Sequence, residues 1–269
     1  MKAQRKEASV EMLLRSLCLP AFVANYEGLA ARAARDGTSH VEYLRALSEL
    51  ELRERAQRRV ARLRKASGLA GEKTAATLDL GRLPAPARTS FAALKDGSFL
   101  ENATNLLVFG NPGSGKTHLV SALGHELVER GHSVLFTKTY ALVQRLLAAK
   151  RDLRLPQELR RLDRIEALVL DDIGYVQQDR EEMEVLFTLL AERYERRSVL
   201  LTSNLVFSKW DQIFKDPMTT AAAIDRLVHH SVVVELNVSS YRAEQALARA
   251  GAKGKARKRG SGPQEVGRG

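Results

Sequence analysis

Residues 106–118, LLVFGNPGSGKTH, place an apolar run directly before a loop that has the spacing of a phosphate-binding loop. In this loop Gly110 is followed by four residues and then by Gly115, Lys116 and Thr117. Small residues let successive backbone N–H groups turn inward around phosphates. The lysine reaches the β and γ oxygens, and the threonine hydroxyl can ligate Mg²⁺. The segment therefore predicts a nucleotide-binding chain.

The context of this loop also favours nucleotide binding. The residues after it, 118–131, are apolar at helical spacing and stop at Gly131, so the phosphates would lie at a helix N-terminus. A chance match in a glycine-rich turn is the alternative, and the strand before and the helix after disfavour it. The residues that we predict to contact the nucleotide are Gly110, Asn111, Pro112, Gly113, Ser114, Gly115, Lys116, Thr117 and His118.

Composition indicates one sizeable domain with appendages. The 269 residues are 44% hydrophobic and 28% charged, which is enough chain to bury a core. No apolar stretch approaches a membrane span and the first 20 residues are too charged for a signal peptide, so we expect a cytoplasmic protein. Cys18 is the single cysteine, which excludes an intrachain disulfide, and its apolar helical context predicts a core position.

The net charge of +11 is unevenly distributed along the chain. Residues 1–100 carry 18 Lys and Arg against 11 Asp and Glu, residues 101–249 carry 19 against 20, and residues 250–269 carry 6 against 1. A near-neutral centre between basic segments suggests a polyanionic partner. A solvated basic surface that serves only solubility is the alternative.

Residues 9–66 have a helical pattern, and we predict a helical N-terminal domain over 1–66 that binds DNA or a partner. Ser39 with Glu42 three residues later forms a capping box at the start of a long helix. The later half of that helix is basic around a thin apolar row. It could lie on nucleic acid or be a charged outer face against a partner helix. The candidate DNA contacts are Arg58, Arg59 and Arg62.

The rest of the chain divides into three predicted parts. Residues 67–90 contain several Gly and Pro without periodicity and are interpreted as a linker, and residues 250–269 as a basic disordered tail. Between them, residues 91–249 alternate short apolar strands with helical runs. The predicted strands are 106–110, 133–138, 166–171, 198–203 and 231–236, and the predicted helices are 116–130, 139–150, 180–197 and 219–230. This pattern predicts an α/β fold with a five-stranded parallel sheet and a ligand at the carboxyl ends of the strands.

Polar residues follow two of these strands. Asp171 and Asp172 end the strand 166–171, where a phosphate-binding fold needs a magnesium carboxylate. We assign Mg²⁺ binding to Thr117 and Asp171, and orientation or activation of the attacking water to Asp172. Asn204 follows the strand 198–203 and could hydrogen-bond the γ-phosphate or that water, although a plain turn residue is the alternative.

Six segments together resemble one family. They are GNPGSGKTHL, LVLDDIGY, LFTLLAERYERRSVLLTSN, FSKWDQIF, AAAIDRLVHHS and SSYR. In order and spacing they resemble the IstB-like insertion-sequence ATP-binding proteins, transposition helpers related to the DnaC helicase loaders within the AAA+ class of P-loop NTPases. The resemblance covers about residues 9 to 243.

The resemblance implies an ATPase with ATP and Mg²⁺ that binds double-stranded DNA, forms a homo-oligomer as a ring or helical filament, and works with a cognate transposase. It gives Asn204 the sensor-1 role and Arg226 the role of an arginine finger, and it aligns Arg242 with the family's terminal motif. Two departures stand out. Asp172 replaces the glutamate of many AAA+ proteins, and the chain after the fifth strand is too short for the usual full AAA+ lid.

Two other functions are compatible with a phosphate-binding loop of this kind. A DnaC-like loader of a replicative helicase would grip its partner with the N-terminal helices and act on single-stranded DNA. A metabolic P-loop kinase would need a substrate pocket with its own acid or base, and the sequence offers no candidate for it. The segments RYERRSVLLTSN and FSKWDQIF favour the helper.

Overall fold

The chain forms two compact units in a computed structural model that describes residues 9–173, 180–210, 217–238 and 240. The first unit is Met1–Arg62 and the second is Leu63–Gly269, so the division falls within a helix of the N-terminal region. No helix of the described residues is long and apolar enough to cross a membrane.

The first unit is helical, as the sequence predicts. Helix α1 is Val10–Ser16, α2 is Pro20–Asp36, and α3 is His40–Ala66, whose last turn belongs to the second unit. The capping box is confirmed, because the Glu42 N–H donates to Ser39 Oγ at 3.3 Å and the Ser39 N–H donates to Glu42 Oε2 at 3.1 Å.

The prediction that Cys18 lies in the core is wrong. Cys18 is exposed and adopts a φ of +55° between α1 and α2. Pro20 is the first residue of α2, where a missing backbone N–H costs nothing, and its ring disfavours helical backbone at Leu19 before it. The apolar run VEMLLRSLCL is thus a short helix and a turn, and it does not continue as one helix through Cys18.

A buried glutamate connects two helices of this unit. Leu19, the N-cap of α2, provides no side-chain hydrogen bond. Glu51 of α3 is 4% exposed and accepts a hydrogen bond from the Ala21 N–H at 2.8 Å, so a carboxylate of α3 serves as the cap of α2. Glu51 also accepts hydrogen bonds from Arg55 Nε at 2.7 Å and Arg58 Nη2 at 3.3 Å.

The second unit contains a five-stranded parallel sheet, which confirms the predicted α/β class. Its strands are β1 Asn105–Gly110, β2 Val134–Lys138, β3 Ala167–Asp171, β4 Ser198–Ser203 and β5 Ser231–Leu236. Their order across the sheet is β2-β3-β4-β1-β5. The central strands are almost fully buried, which explains why their sequences are continuous apolar runs instead of alternating patterns.

Helices connect these strands. The four predicted ones are present as α5 Lys116–Glu129, α6 Thr139–Arg151, α8 Arg180–Arg193 and α9 Pro217–Val228. Among the described residues, two further helices were not predicted, namely α4 Ala85–Leu94 and α7 Leu155–Asp163. Helix α4 begins inside the stretch 67–90 that we interpreted as a linker, which also holds the short 3-10 helix Leu80–Arg82. Because all five strands run in the same direction, their carboxyl ends share one edge of the sheet, here called the carboxyl edge.

Candidate functional site

The phosphate loop connects β1 to α5 at the carboxyl edge. Gly110 has a φ of +155°, and a Cβ there would lie 2.6 Å from the Leu236 carbonyl oxygen of β5 and 2.8 Å from Ser114 Oγ. Gly115 has a φ of +97° and is the N-cap of α5. A side chain at either position would meet packed atoms or a disfavoured backbone conformation, so the local geometry requires glycine.

Two polar groups of this loop suit a phosphate ligand. Lys116 is 6% exposed, and its Nζ donates to the carbonyl oxygens of Gly110 at 2.7 Å and Asn111 at 3.0 Å. Ser114 Oγ is buried without a hydrogen-bond partner among the described residues. Buried polar groups in native proteins are almost always paired, so this hydroxyl indicates space for a polar ligand.

The two predicted metal ligands lie in contact. Thr117 Oγ1 donates to Asp171 Oδ1 at 2.8 Å, although 54 residues separate them in the sequence. Asp171 is fully buried at the end of β3, and Thr202 Oγ1 of β4 donates to the same Oδ1 at 2.6 Å. A hydroxyl and a carboxylate are oxygen donors of the kind that Mg²⁺ prefers, so the residues present fit this ion.

Asp172 leaves β3 in an unusual backbone conformation. Its φ is +61°, which Asp tolerates better than most residues, and its N–H donates to Thr202 Oγ1 at 2.9 Å. The side chain is 31% exposed at the carboxyl edge. Thr202 therefore holds the side chain of Asp171 and the backbone of Asp172 with a single hydroxyl, and the side chain of Asp172 remains partly exposed.

Lys138 also contacts both acids, and sequence reasoning missed it. It is the last residue of β2 and is the register partner of Asp171. Its Nζ lies 2.5 Å from Asp171 Oδ2 and 3.0 Å from Asp172 Oδ2. Partial burial works to lower the pKa of Lys138, but the hydrogen bonds and negative charges of the two aspartates outweigh it and raise that pKa above its usual value. The available signal was its position at the end of a strand, the same signal that identified Asp171.

Asn204 and His118 have different surroundings. Asn204 follows β4, and its Oδ1 is buried without a hydrogen-bond partner in the described part of the chain. The ring of His118 lies on the segment before α4, with Nε2 3.1 Å from Thr77 Oγ1 and 3.2 Å from the Thr74 carbonyl oxygen. Asn204 thus has an amide oxygen available, whereas the imidazole of His118 already has protein partners.

Arg226 lies towards the opposite edge of the sheet. The carbonyl oxygen of the next residue, Leu227, accepts a hydrogen bond from Asn105 Nδ2 at 3.0 Å, and Asn105 is the first residue of β1. Gly110 is at the other end of β1, roughly 16 Å away at a rise of about 3.3 Å per residue. The Arg226 guanidinium donates to the Ala222 carbonyl oxygen at 3.0 Å and lies 4.9 Å from the centroid of the Phe187 ring. These contacts hold Arg226 on α8 and α9, away from the phosphate loop of its own chain.

The remaining predicted residues are Arg242 and the basic residues of α3. Arg242 lies outside the described residues, as does most of the chain after β5 on which the expectation of a missing lid rests. Arg58, Arg59 and Arg62 are exposed. The guanidinium of Arg58 is in an ion pair with Glu51, 3.3 Å from Oε1, which reduces its free positive charge.

Comparison with known proteins identifies the family. The profile described as IstB-like ATP binding protein matches residues 12–249. An insertion-sequence ATP-binding protein of Sinorhizobium fredii is 41% identical over 242 residues, which cover 90% of this chain and 81% of that protein. The ATP-binding protein of the insertion sequence IS21 from Pseudomonas aeruginosa is 36% identical over 236 residues, covering 88% and 89% of the two chains.

Solved structures confirm the fold. The structure of DnaI superimposes with a TM-score of 0.54 at 20% identity, covering 64% of this chain and 96% of DnaI. AMPPCP-bound DnaA of Aquifex aeolicus gives a TM-score of 0.54 at 18% identity, covering 64% of this chain and 52% of DnaA. At such identities the likeness establishes the P-loop fold of AAA+ type alone. With the phosphate loop in place and the family profile spanning both units, the chain belongs to the IstB-like ATP-binding proteins and is an ATPase of that type.

Proposed function

We propose that this ATPase is a transposition helper. With ATP bound it assembles on double-stranded DNA as a homo-oligomer, a ring or a helical filament, and it recruits or stimulates a cognate transposase. Hydrolysis then disassembles the complex. The observation that carries this proposal is the family match over residues 12–249, together with relatives that are named as insertion-sequence ATP-binding proteins.

The site supports a simple hydrolytic mechanism. The backbone N–H groups of the phosphate loop and the Lys116 ammonium bind the β- and γ-phosphates. Thr117 and Asp171 would hold Mg²⁺, which neutralises phosphate charge when bound. The Asp172 carboxylate accepts a hydrogen bond from the attacking water. As the water oxygen bonds to the γ-phosphorus, one water proton passes to the Asp172 carboxylate, the bond to the β–γ bridging oxygen breaks, and ADP and phosphate are released.

Two polar residues at the end of β4 complete this arrangement. Asn204 has a buried amide oxygen without a partner in the described residues, which suits a hydrogen bond from the attacking water. Thr202, through its bonds to Asp171 and to the Asp172 N–H, positions both acids. Thr202 is therefore a positioning residue in this mechanism.

We place Arg226 in the site of a neighbouring subunit. Its guanidinium is held on α8 and α9 by Phe187 and Ala222, and the adjacent Leu227 contacts the amino end of β1, whereas Gly110 lies at the carboxyl end. A guanidinium donated by another chain could stabilise charge on the transferred phosphoryl group. In this proposal the catalytic site is complete only in the oligomer, and Arg242 adds a nucleotide contact from the C-terminal motif.

DNA binding is assigned to the basic part of α3 and to the basic tail 250–269. The exposed arginines on α3 include Arg59 and Arg62, and the tail carries six Lys and Arg against one acid. Such surfaces bind phosphates and read little sequence, because specificity requires contacts with base edges. Recognition of DNA by this chain is therefore largely independent of sequence.

Electron microscopy with long duplex DNA tests both the binding of duplex DNA and the assembly of the oligomer. With ATP, we expect ordered oligomers on the duplex, and with ADP we expect them to disappear. Isolated particles in both states would contradict the proposal. A preference for single-stranded DNA would favour the helicase-loader alternative.

Measuring the affinity for duplex DNA over a range of salt concentrations tests the proposed contacts with DNA phosphates. The double variant Arg59→Gln/Arg62→Gln should lower the slope of log affinity against log salt by up to about 2, since each phosphate contact contributes about 0.9. Arg15→Gln on α1 removes an arginine that pairs with Glu11, and it should leave the slope unchanged. An affinity that does not depend on salt would contradict phosphate-dominated binding.

A further inference from the structure

The ammonium of Lys138 covers two carboxylates of the nucleotide site at once. The parallel register of β2 and β3 pairs Lys138 with Asp171, and its Nζ lies within hydrogen-bond distance of both Asp171 Oδ2 and Asp172 Oδ2. The family mechanism described above gives no role to this lysine. Its position at the catalytic acids calls for a functional explanation.

The chain's own donors occupy both oxygens of Asp171. Oδ1 accepts hydrogen bonds from the hydroxyls of Thr117 and Thr202, and Oδ2 accepts one from Lys138. A fully buried carboxylate without a compensating charge is strongly unfavourable, and neither hydroxyl carries charge. Lys138 therefore supplies a positive charge that compensates the buried charge of Asp171.

This arrangement has a consequence for Mg²⁺. An ion held by Thr117 and Asp171 would approach the carboxylate on which the Lys138 ammonium lies. Two cations that share one carboxylate repel each other strongly in a partly buried site. The Lys138 side chain is 43% exposed on a flexible stem, so its ammonium can move into solvent without disturbing the sheet.

We propose that Lys138 is a tethered counter-cation of Asp171 and Asp172, and that its ammonium must leave them before Mg²⁺ can bind with ATP. The inference rests on the magnesium role assigned in the proposed function. Lys138 is a positioning residue that holds the two acids in place in the nucleotide-free protein. It also sets the magnesium concentration that ATP binding requires.

The test measures nucleotide binding without turnover. Affinity for a fluorescent, non-hydrolysable ATP analogue is recorded from excess EDTA to saturating Mg²⁺ for the full chain, for Lys138→Met and for Lys138→Gln. In both variants the Mg²⁺ concentration that gives half of the affinity gain should fall, by about tenfold in Lys138→Met. Lys138→Arg keeps the charge and should stay near the parent. Lys150→Met, which breaks a surface pair with Glu184, is the matched control and should match the parent.

A thermal melt without nucleotide provides a second measurement. In EDTA, Lys138→Met should melt at a lower temperature than the parent, and Mg²⁺ should restore much of the loss, whereas the parent should barely respond to Mg²⁺. If Lys138→Met requires as much Mg²⁺ as the parent, or loses stability that Mg²⁺ does not restore, this inference is wrong and the proposed function is unaffected. If ATP binding by the parent itself does not depend on Mg²⁺, the magnesium role in the proposed function fails together with it.

Discussion

Lys116 lies under the loop to which it belongs, and its Nζ donates to two backbone carbonyl oxygens of that loop. Carbonyl groups are neutral acceptors, so the β- and γ-phosphates are stronger partners for this ammonium. At the scale of single residues, this nearly buried lysine is therefore prepared for an anion before any ligand arrives.

Lys116→Ala should weaken ATP binding by at least about 100-fold, because it removes two or more charge-assisted hydrogen bonds to phosphate oxygens. Titration with a fluorescent ATP analogue measures the effect, and Lys150→Ala on the surface of α6 should bind as the parent does. Binding of the analogue by Lys116→Ala at full affinity would show that the nucleotide lies elsewhere.

Asp172→Asn should retain ATP binding and reduce turnover by about 10²- to 10⁴-fold, since a neutral amide accepts a proton poorly and aligns water less well than a carboxylate. Asn tolerates the φ of +61° as well as Asp does, so the backbone should stay in place. Single-turnover hydrolysis and analogue binding measured side by side separate the two effects. The surface variant Asp152→Asn provides the control, and turnover of Asp172→Asn at the parent rate would place the catalytic carboxylate elsewhere.

At the scale of elements, the ends of helices depend on neighbouring helices. Helix α2 has no N-cap hydrogen bond of its own and borrows the Glu51 carboxylate from α3. Burial of Glu51 works to raise its pKa, but hydrogen bonds from Arg55 and the Ala21 N–H, with the charges of Arg55 and Arg58, lower it below the usual value. The carboxylate is thus more stable in the folded helical unit than in the unfolded chain.

Glu51→Gln should destabilise the helical unit by about 2 kcal/mol, because a buried acceptor loses its charge beside two guanidinium groups and a helix N-terminus. Hydrogen exchange of α2 peptides in the full chain should then be roughly 30-fold faster. Glu49→Gln, which affects an exposed pair with Arg53, should change exchange little.

The pH dependence of this effect follows from the sign of the shift. A lowered pKa in the folded state contributes stability that is fully present above the unfolded value of about 4.3 and is lost as pH falls through the folded value. The difference in exchange between parent and Glu51→Gln should therefore be constant near neutral pH and shrink in acid below about pH 4. A difference that persists there unchanged would exclude the charge of Glu51 as its cause.

At the scale of the whole molecule, Arg226 and the phosphate loop lie towards opposite edges of one sheet. If Arg226 completes the site of a neighbour, Arg226→Ala should bind ATP normally and lose hydrolysis, by as much as about 10³-fold. ATPase assays and analogue binding on the purified variant measure both.

Mixing Arg226→Ala with Asp172→Asn distinguishes action between chains from action within one chain. Some mixed interfaces would pair an intact Lys116 and Asp172 with an intact Arg226, so ATPase activity should exceed that of either variant alone. No recovery in confirmed mixed oligomers would confine Arg226 to its own chain or to a structural role on α8.

Features that depend on residues close together in the sequence could be predicted. The phosphate loop, the five strands and the pair Asp171–Asp172 were predictable because each depends on residue types at short spacing, which sequence displays directly. Helix α4 was not predicted, because its formation depends on packing against distant parts of the chain. Pro84 and Pro86 suggested a linker, whereas proline in the first turn of a helix is compatible with it, and packing of Phe91 and Leu94 decided the outcome.

Only the tertiary structure decided which distant residues meet at the acids. The order β2-β3-β4 brings Lys138 and Thr202 to Asp171 from two neighbouring strands that are 33 and 31 residues away in the sequence. Strand order and register arise from burial of both faces of the sheet, a long-range effect that spacing along the chain does not encode. By itself the sequence thus indicated a nucleotide-binding chain with two acids at the end of a strand, and tertiary packing decided that Lys138 contacts both acids and that Arg226 lies away from them.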